Sequence, residues 1–304
     1  MTATTTAGLF PGQGSQSVGM GQELAAAHAI VRDTFAEADE VLGFGLTALC
    51  FDGPADELKR TVNAQPALVT MSTAYWRLLS AQGFACAVVA GHSLGEYSAL
   101  VAAGALTFSD ALRLVRQRGQ LMEEAAAANP GAMAAVIGLS DEDVQALCAE
   151  VAAEHGVLVP ANYNAPGQVV VSGVAPAITA LRATAKARGA RAIPLAVSGG
   201  FHSPLMDAAA AAFAVVLDAV KIAIPALPII PNVSAEPTSD PAVIREMLSR
   251  QITGSVQWVR TLSTIQAMGV HTFVEIGPGN VLTGLVQRTL PTATAATVAS
   301  LLTE

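Results

Sequence analysis

Two hydrophobic periods alternate along the chain. Short uninterrupted apolar runs, "AGLF" at 7–10 and "CAVVA" at 86–90, lead into glycine-bearing turns, and longer stretches follow in which apolar residues return every three or four positions. The runs predict buried strands and the longer stretches amphipathic helices. Strands without a polar face, alternating with helices, imply a parallel sheet covered on both sides. Helical patterning covers "QELAAAHAIVRDTFAEADEVL", "QPALVTMSTAYWRLLSAQG" and "TFSDALRLVRQRGQLMEEAAAA". Ser109 or Asp110 is the expected N-cap of the last, and "NPG" at 129–131 its stop.

From 131 to 197 the pattern changes to strand "AMAAVIG", helix "DEDVQALCAEVAAEHG", strands "VLVPANYN" and "QVVVSG", helix "APAITALRATAKARG" and strand "RAIPLAV". This is the β-α-β-β-α-β order of a ferredoxin-like unit. Strand–helix patterning then resumes with "PLMDAAAAAFAVVLDAV", "LPIIPNVSA" and "HTFVEIGPG". The expected organisation is therefore a large α/β unit over 1–130 and 198–304, interrupted by a small ferredoxin-like insertion over 131–197.

Composition narrows the function classes. The 304 residues are 52% hydrophobic and 13% charged, enough to bury a substantial core and too apolar for disorder. A net charge of −8 with no Lys/Arg-rich run argues against general nucleic-acid binding. Cys50, Cys86 and Cys148 are far apart, odd in number and lack a C-x-x-C, so neither disulfides nor a zinc site is indicated and a reducing cytoplasm fits. "MTATTTAGLFPGQGSQ" has no basic residue or long apolar core, unlike a secretory signal, and no apolar run is long enough to span a membrane.

The chemistry begins at "VVAGHSLGEYSALVAAG", where Gly91-His92-Ser93-Leu94-Gly95 lies between an apolar strand and an Ala/Leu-rich helix. G-x-S-x-G in that context is a nucleophile elbow, with the serine hydroxyl raised on a sharp turn. Its base must be a histidine that approaches from elsewhere. His92 adjoins the serine on the wrong side of the turn, His28 and His155 belong to amphipathic helices, and His271 enters a strand. His202 in "VSGGFHSPLMD" stands in a glycine turn ahead of a helix start, with Ser203 as N-cap and Pro204 at the first helical position. A helix N-terminus disfavours imidazolium, so the ring is expected to be neutral and able to accept a proton.

An oxyanion hole needs two backbone N–H groups. Leu94, next to the serine, and Gln13, between Gly12 and Gly14, are the candidates. The rival phosphate-loop reading of "FPGQGSQSVGMG" fails, because position 17 is not glycine and no G-K-[S/T] follows. Arg118 shares an apolar helix stripe with Ala111, Val115, Met122 and Ala125, opposite Arg113, Gln117, Gln120 and Glu124. An inward guanidinium needs an anion, either an internal carboxylate or a substrate's, unless its stem snorkels the charge to the surface.

These residues, with "FPGQGSQ" (10–16), "AQPAL" (64–68), "GHSLGEYSAL" (91–100), "RQRGQLM" (116–122), "GAMAAVIGL" (131–139), "NYNAPGQVVVSG" (162–173), "GGFHSPLM" (199–206), "PNVSA" (231–235) and "VEIGPGNVLTGL" (274–285), make the chain resemble the malonyl-CoA:acyl carrier protein transacylase family of fatty acid and polyketide synthesis. The resemblance implies an α/β fold, with an α/β-hydrolase-like large subdomain built on a parallel sheet and an inserted ferredoxin-like small one. It implies Ser93 as acyl nucleophile, His202 as base, Arg118 as clamp for the malonyl carboxylate, and the backbone amides of Gln13 and Leu94 as oxyanion hole. A backbone carbonyl, matching Gln251, orients the histidine in place of an acid. Phe201 before the base accompanies malonyl rather than methylmalonyl use. The implied partners are malonyl-CoA and an acidic acyl carrier protein, with no metal or redox cofactor, and a monomer is sufficient. Arg182, Lys186, Arg188 and Arg191 are candidates for carrier docking. The competing enzyme class is a serine thioesterase or esterase, against which Arg118 argues.

Overall fold

The computed structural model describes residues 5–197 and 199–302. The expected start of the second large segment, Ser198, lies outside the described residues, as do the first four and last two positions. Nine strands are found among the described residues: β1 (Thr6–Phe10), β2 (Val88–Gly91), β3 (Gly131–Ile137), β4 (Leu158–Ala165), β5 (Gln168–Val174), β6 (Arg191–Pro194), β7 (Ile229–Ile230), β8 (Thr272–Glu275) and β9 (Thr294–Thr297). Five of them form a sheet of order β7-β2-β1-β8-β9, and every pairing in it is parallel. β2 is buried along its whole length and β1 at all but its first residue, as continuous apolar runs require. Because β1, β2 and β7 run the same way, their carboxyl ends deliver Gln13, Ser93 and Asn232 to one edge of the sheet, where ligands of open α/β sheets bind.

The other four strands form an antiparallel sheet of order β4-β5-β3-β6, the ferredoxin-like arrangement expected from the sequence. Its two faces have different duties. Ala134, Val136, Val169 and Val171 pack on helices Asp141–His155 and Ala175–Ala187 in a core of their own. The alternate positions Met133, Ala135 and Val170 join the core of the large subdomain. This is the two-residue alternation of a sheet buried on both faces.

Several elements differ from the sequence expectation. The helix expected from Gln65 runs Thr61–Ala81 with Pro66 inside it. Proline cannot bond back to the Val62 carbonyl, and that carbonyl instead accepts a hydrogen bond from Arg116 Nη1 at 2.9 Å, which satisfies the group proline leaves orphaned. The N-cap of helix Phe108–Ala128 is Thr107, whose Oγ1 accepts from the Asp110 N–H at 3.0 Å, so Ser109 and Asp110 lie within the helix. The first helical stretch breaks at His28, which is extended, into Gln22–Ala27 and Ala29–Leu42. "LPIIPNVSA" contributes only the two residues of β7, since Pro231 offers no N–H to continue the ladder. Strand β6 ends at Pro194, and residues 195–197 leave the sheet to line a cavity.

The glycines flanking Ser93 are required by close backbone approach. A Cβ on Gly91 would lie 1.9 Å from the Gly95 carbonyl carbon, and one on Gly95 would lie 2.0 Å from the Phe10 carbonyl oxygen. The turn after β2 is thus pressed against the end of β1. Gly95→Ala is expected to cost about 3 kcal/mol, the upper end of overpacking, because backbone and not a flexible side chain opposes the methyl. Urea unfolding should show a lowered midpoint, and a midpoint equal to wild type would mean that the turn yields freely.

Candidate active site

Ser93 sits at the tip of that turn with φ 48°, a left-handed backbone held in place by its surroundings. Its N–H donates to Asn232 Oδ1 at 2.6 Å, while Asn232 Nδ2 donates to the Gly91 carbonyl at 2.6 Å. A side chain from the end of β7 therefore braces both arms of the elbow. Its "PNVSA" context marked the segment, but nothing local to Asn232 announces a bracing role.

The Ser93 hydroxyl lies 2.8 Å from His202 Nε2, across 109 positions of sequence. His202 Nδ1 faces two backbone carbonyls, Gln251 O at 2.9 Å and Gly254 O at 3.0 Å. Carbonyls only accept, so Nδ1 carries the ring proton and Nε2 is left to accept from the serine. The imidazole is pushed down to a pKa of about 3, first by burial and then by the positive charge of Arg118. The ring is neutral as the sequence predicts, with burial as the largest cause. Ser203 is the expected N-cap, its Oγ accepting from the Leu205 N–H at 3.3 Å, and the element it opens is one 3₁₀ turn, Pro204–Met206.

Arg118 is 1% exposed, on a buried stripe with Ala111, Val115, Met122 and Ala125. Its Nη1 donates to Gln65 Oε1 at 2.9 Å and its Nη2 to Gln251 Oε1 at 3.1 Å. Both partners are neutral amides, and among the described residues no carboxylate forms an ion pair with it. Its Nε has no hydrogen-bond partner, and neither does the hydroxyl of Tyr97, whose ring centroid is 5.7 Å from the guanidinium carbon. A guanidinium has five N–H groups, and amide oxygens engage one on each Nη.

Gln251 holds the site together. Its carbonyl faces His202, its Oε1 faces Arg118, and its Nε2 donates to the Ser93 carbonyl at 3.0 Å and to Glu96 Oε2 at 2.7 Å. Glu96 is 1% exposed and also accepts from the Asn232 N–H at 3.0 Å. Burial raises its pKa to about 7, opposed by those two donors and by Arg118. Sequence patterns do not single out Glu96, Gln65 or Asn232 as site residues. An acid inside "GEYSALVAAG", an otherwise apolar helix, is the one available signal.

Ser93, Leu94, Gln13, Arg118, Phe201 and His202 all line one cavity of ≈ 360 Å³. The inserted sheet adds Met133, Asn162, Asn164 and Val170 to its wall. The N–H groups of Gln13 and Leu94 make no hydrogen bond to another described residue, so both are available to an oxygen in the cavity. His92 also reaches the cavity, with Nε2 2.7 Å from Asn164 Oδ1. Among the described residues no cluster of His, Cys, Asp or Glu is arranged to hold a metal. The four basic residues suggested for docking are elsewhere. Arg182 and Lys186 belong to helix Ala175–Ala187, on the sheet face away from the cavity, Arg188 pairs with Glu150, and Arg191 opens β6 as an exposed residue.

The family profile described as "Acyl transferase domain" matches residues 9–304. The malonyl CoA-acyl carrier protein transacylase of Salmonella typhimurium is 49% identical over 294 residues, which is 96% of this chain and 95% of that protein. A crystal structure of an acyl carrier protein S-malonyltransferase from Vibrio cholerae superposes with a TM-score of 0.95 at 45% identity, covering 99% of both chains. A malonyl-transacylase solved in complex with a type II polyketide synthase acyl carrier protein also has a TM-score of 0.95, at 46% identity, over 99% of this chain and 98% of its own. On this agreement of sequence and fold, the chain belongs to the acyl transferase domain family.

Proposed function

We propose that the protein transfers malonyl groups from malonyl-CoA to the phosphopantetheine thiol of an acyl carrier protein, through a malonyl ester on Ser93. The observation that carries this reading is the buried, unpaired charge of Arg118 in the serine cavity. An isolated buried charge is very costly, and a carboxylate at the far end of the acyl group supplies the missing partner. The relatives named for malonyl transfer, one of them bound to a carrier protein, support the same donor and acceptor.

The steps balance without an external oxidant or reductant. His202 Nε2 takes the Ser93 proton as Oγ bonds to the thioester carbon, and the carbonyl oxygen becomes an oxyanion held by the Gln13 and Leu94 N–H groups. The C–S bond then breaks and coenzyme A leaves with the proton from Nε2. In the second half, the carrier thiol gives its proton to Nε2, sulfur attacks the malonyl ester, and Ser93 leaves and is reprotonated. The Nδ1–H bonds to Gln251 and Gly254 hold the imidazole in the required tautomer throughout. One chain supplies every group, so a monomer suffices.

We divide the chain for this purpose into a catalytic subdomain, 1–130 and 198–304, and an inserted subdomain, 131–197, whose strands fall within 131–194. We place the reaction in the cytoplasm, feeding fatty acid or polyketide elongation. All three cysteines are buried and unpaired, and no described helix is long and apolar enough to cross a membrane.

Intact-mass analysis after incubation with malonyl-CoA should show one malonyl adduct, absent from Ser93→Ala, and an adduct persisting in that variant would sink the assignment. His202→Ala should slow loading by ~10²–10⁴-fold, as for a positioned general base. Replacing Arg118 with Ala should lower kcat/KM for malonyl-CoA by about 1.5–3 kcal/mol more than for acetyl-CoA, since only malonyl loses charge-assisted hydrogen bonds. Equal losses would make Arg118 structural. Phe201, buried at the cavity wall, leaves little room for an added methyl, which overpacking penalises by about 1–3 kcal/mol. Malonyl-CoA should therefore outcompete methylmalonyl-CoA for the wild-type enzyme, with the preference relaxed in Phe201→Ser. Equal loading of the two thioesters by wild type would remove Phe201 from the account of selectivity.

A further inference from the structure

Glu96 is a buried carboxyl to which the transfer steps give no task. It lies in the first turn of helix Gly95–Ala102, three residues after the nucleophile, and a single oxygen, Oε2, accepts from both Asn232 N and Gln251 Nε2. The Gln251 amide is consequently strung between two opposite charges: its NH₂ points at Glu96, and its oxygen receives Arg118 Nη2. The reverse amide orientation would set a carbonyl against the carboxylate and an NH₂ against the guanidinium. Electrostatics on both sides selects the observed one.

We propose that Glu96 is a positioning residue for the substrate carboxylate: by fixing the Gln251 amide with its oxygen toward Arg118, it holds the guanidinium fork in place without pairing with it directly. The proposal rests on the malonyl-transfer reading above. A direct Glu–Arg pair would take up the fork's N–H groups and neutralise the charge that substrate must meet. Standing one amide away, Glu96 orients the fork and leaves its free N–H groups facing the cavity.

The carboxyl has a titration that other groups around it lack. Charged and titratable groups that act on it are Arg118 from helix Phe108–Ala128 and Tyr97 from its own helix, and His92 and His202 are the other titratable groups lining the cavity. Burial lifts the Tyr97 phenol and lowers both imidazoles, and the guanidinium keeps its proton. Glu96, raised to about 7, is the group that changes form between pH 6 and 8. With the pKa raised, the carboxylate exists above that value and the neutral acid below it. A neutral acid both donates and accepts, so it no longer distinguishes the two ends of the amide.

The test is the ratio of kcat/KM for malonyl-CoA over acetyl-CoA in loading Ser93, measured from pH 6 to 8 for wild type and Glu96→Gln. In wild type the ratio should rise with pH. In the variant it should be flat and lower than wild type at pH 8 by roughly tenfold, the scale of one charge-assisted hydrogen bond. A wild-type ratio independent of pH, or a variant that keeps the wild-type ratio while both substrates slow together, overturns the proposal and leaves Glu96 as framework. If the variant does not fold, the wild-type profile alone decides. A wild type that fails to load malonyl refutes the transfer reading itself, an outcome distinct from loading without the pH-dependent ratio.

Discussion

A positive charge buried without a carboxylate in direct contact is the constraint around which this site is built. Arg118 lies on the apolar stripe of a long helix, and the fold meets its desolvation with two amide oxygens, from Gln65 and Gln251, instead of a carboxylate. That choice has consequences in each direction. Toward the cavity it leaves unspent charge. Toward His202 it adds repulsion that, after burial, keeps the imidazole unprotonated. Toward Glu96 it contributes an attraction that partly offsets the cost of burying an acid. Replacing the amides with an acid would neutralise that charge.

Holding these groups in register requires segments far apart in the chain. Ser93 comes from the parallel sheet, His202 from the return out of the insertion, and the carbonyls of Gln251 and Gly254 from the end of helix Pro241–Gln251 and the loop beyond it. The same loop is tied to the inserted sheet: Val256 N donates to the Ala161 carbonyl at 2.8 Å, Tyr163 N donates to the Val256 carbonyl at 2.9 Å, and Ser255 Oγ donates to the Pro160 carbonyl at 2.6 Å. The insertion is thus both a wall of the cavity and an anchor for the loop whose carbonyls face His202 Nδ1. The two-residue alternation of β3 and β5 makes this economical, because one face closes the small core while the other completes the large one.

Residues with a local reason to be where they are can be read directly from the chain. The elbow serine follows from its glycines and the strand ahead of it, Arg118 from the helical period, and His202 from the glycine turn and the Ser203-Pro204 that follow it. The order of the inserted unit is equally plain, because strands and helices have different periods. The sequence misleads where a distant group compensates a local rule or where neighbours compete for one role. Pro66 is tolerated inside a helix because Arg116 satisfies the carbonyl it frees. Thr107, not Ser109 or Asp110, caps helix Phe108–Ala128, a choice among adjacent polar residues that the local pattern leaves open.

By itself, then, the sequence determined the α/β class, the ferredoxin-like insertion, a serine at a sharp turn, a histidine ahead of a helical turn and a guanidinium on an inward face. These depend on short-range periodicity and on the backbone preferences of glycine and proline, which are properties of neighbouring residues. Only the tertiary structure decided that Asn232 braces the elbow, that the Gln251 amide lies between Glu96 and Arg118, and that burial is the largest cause keeping His202 neutral. Hydrogen bonds to backbone carbonyls and the desolvation of charges depend on what packs nearby from distant parts of the chain, and no local pattern encodes that.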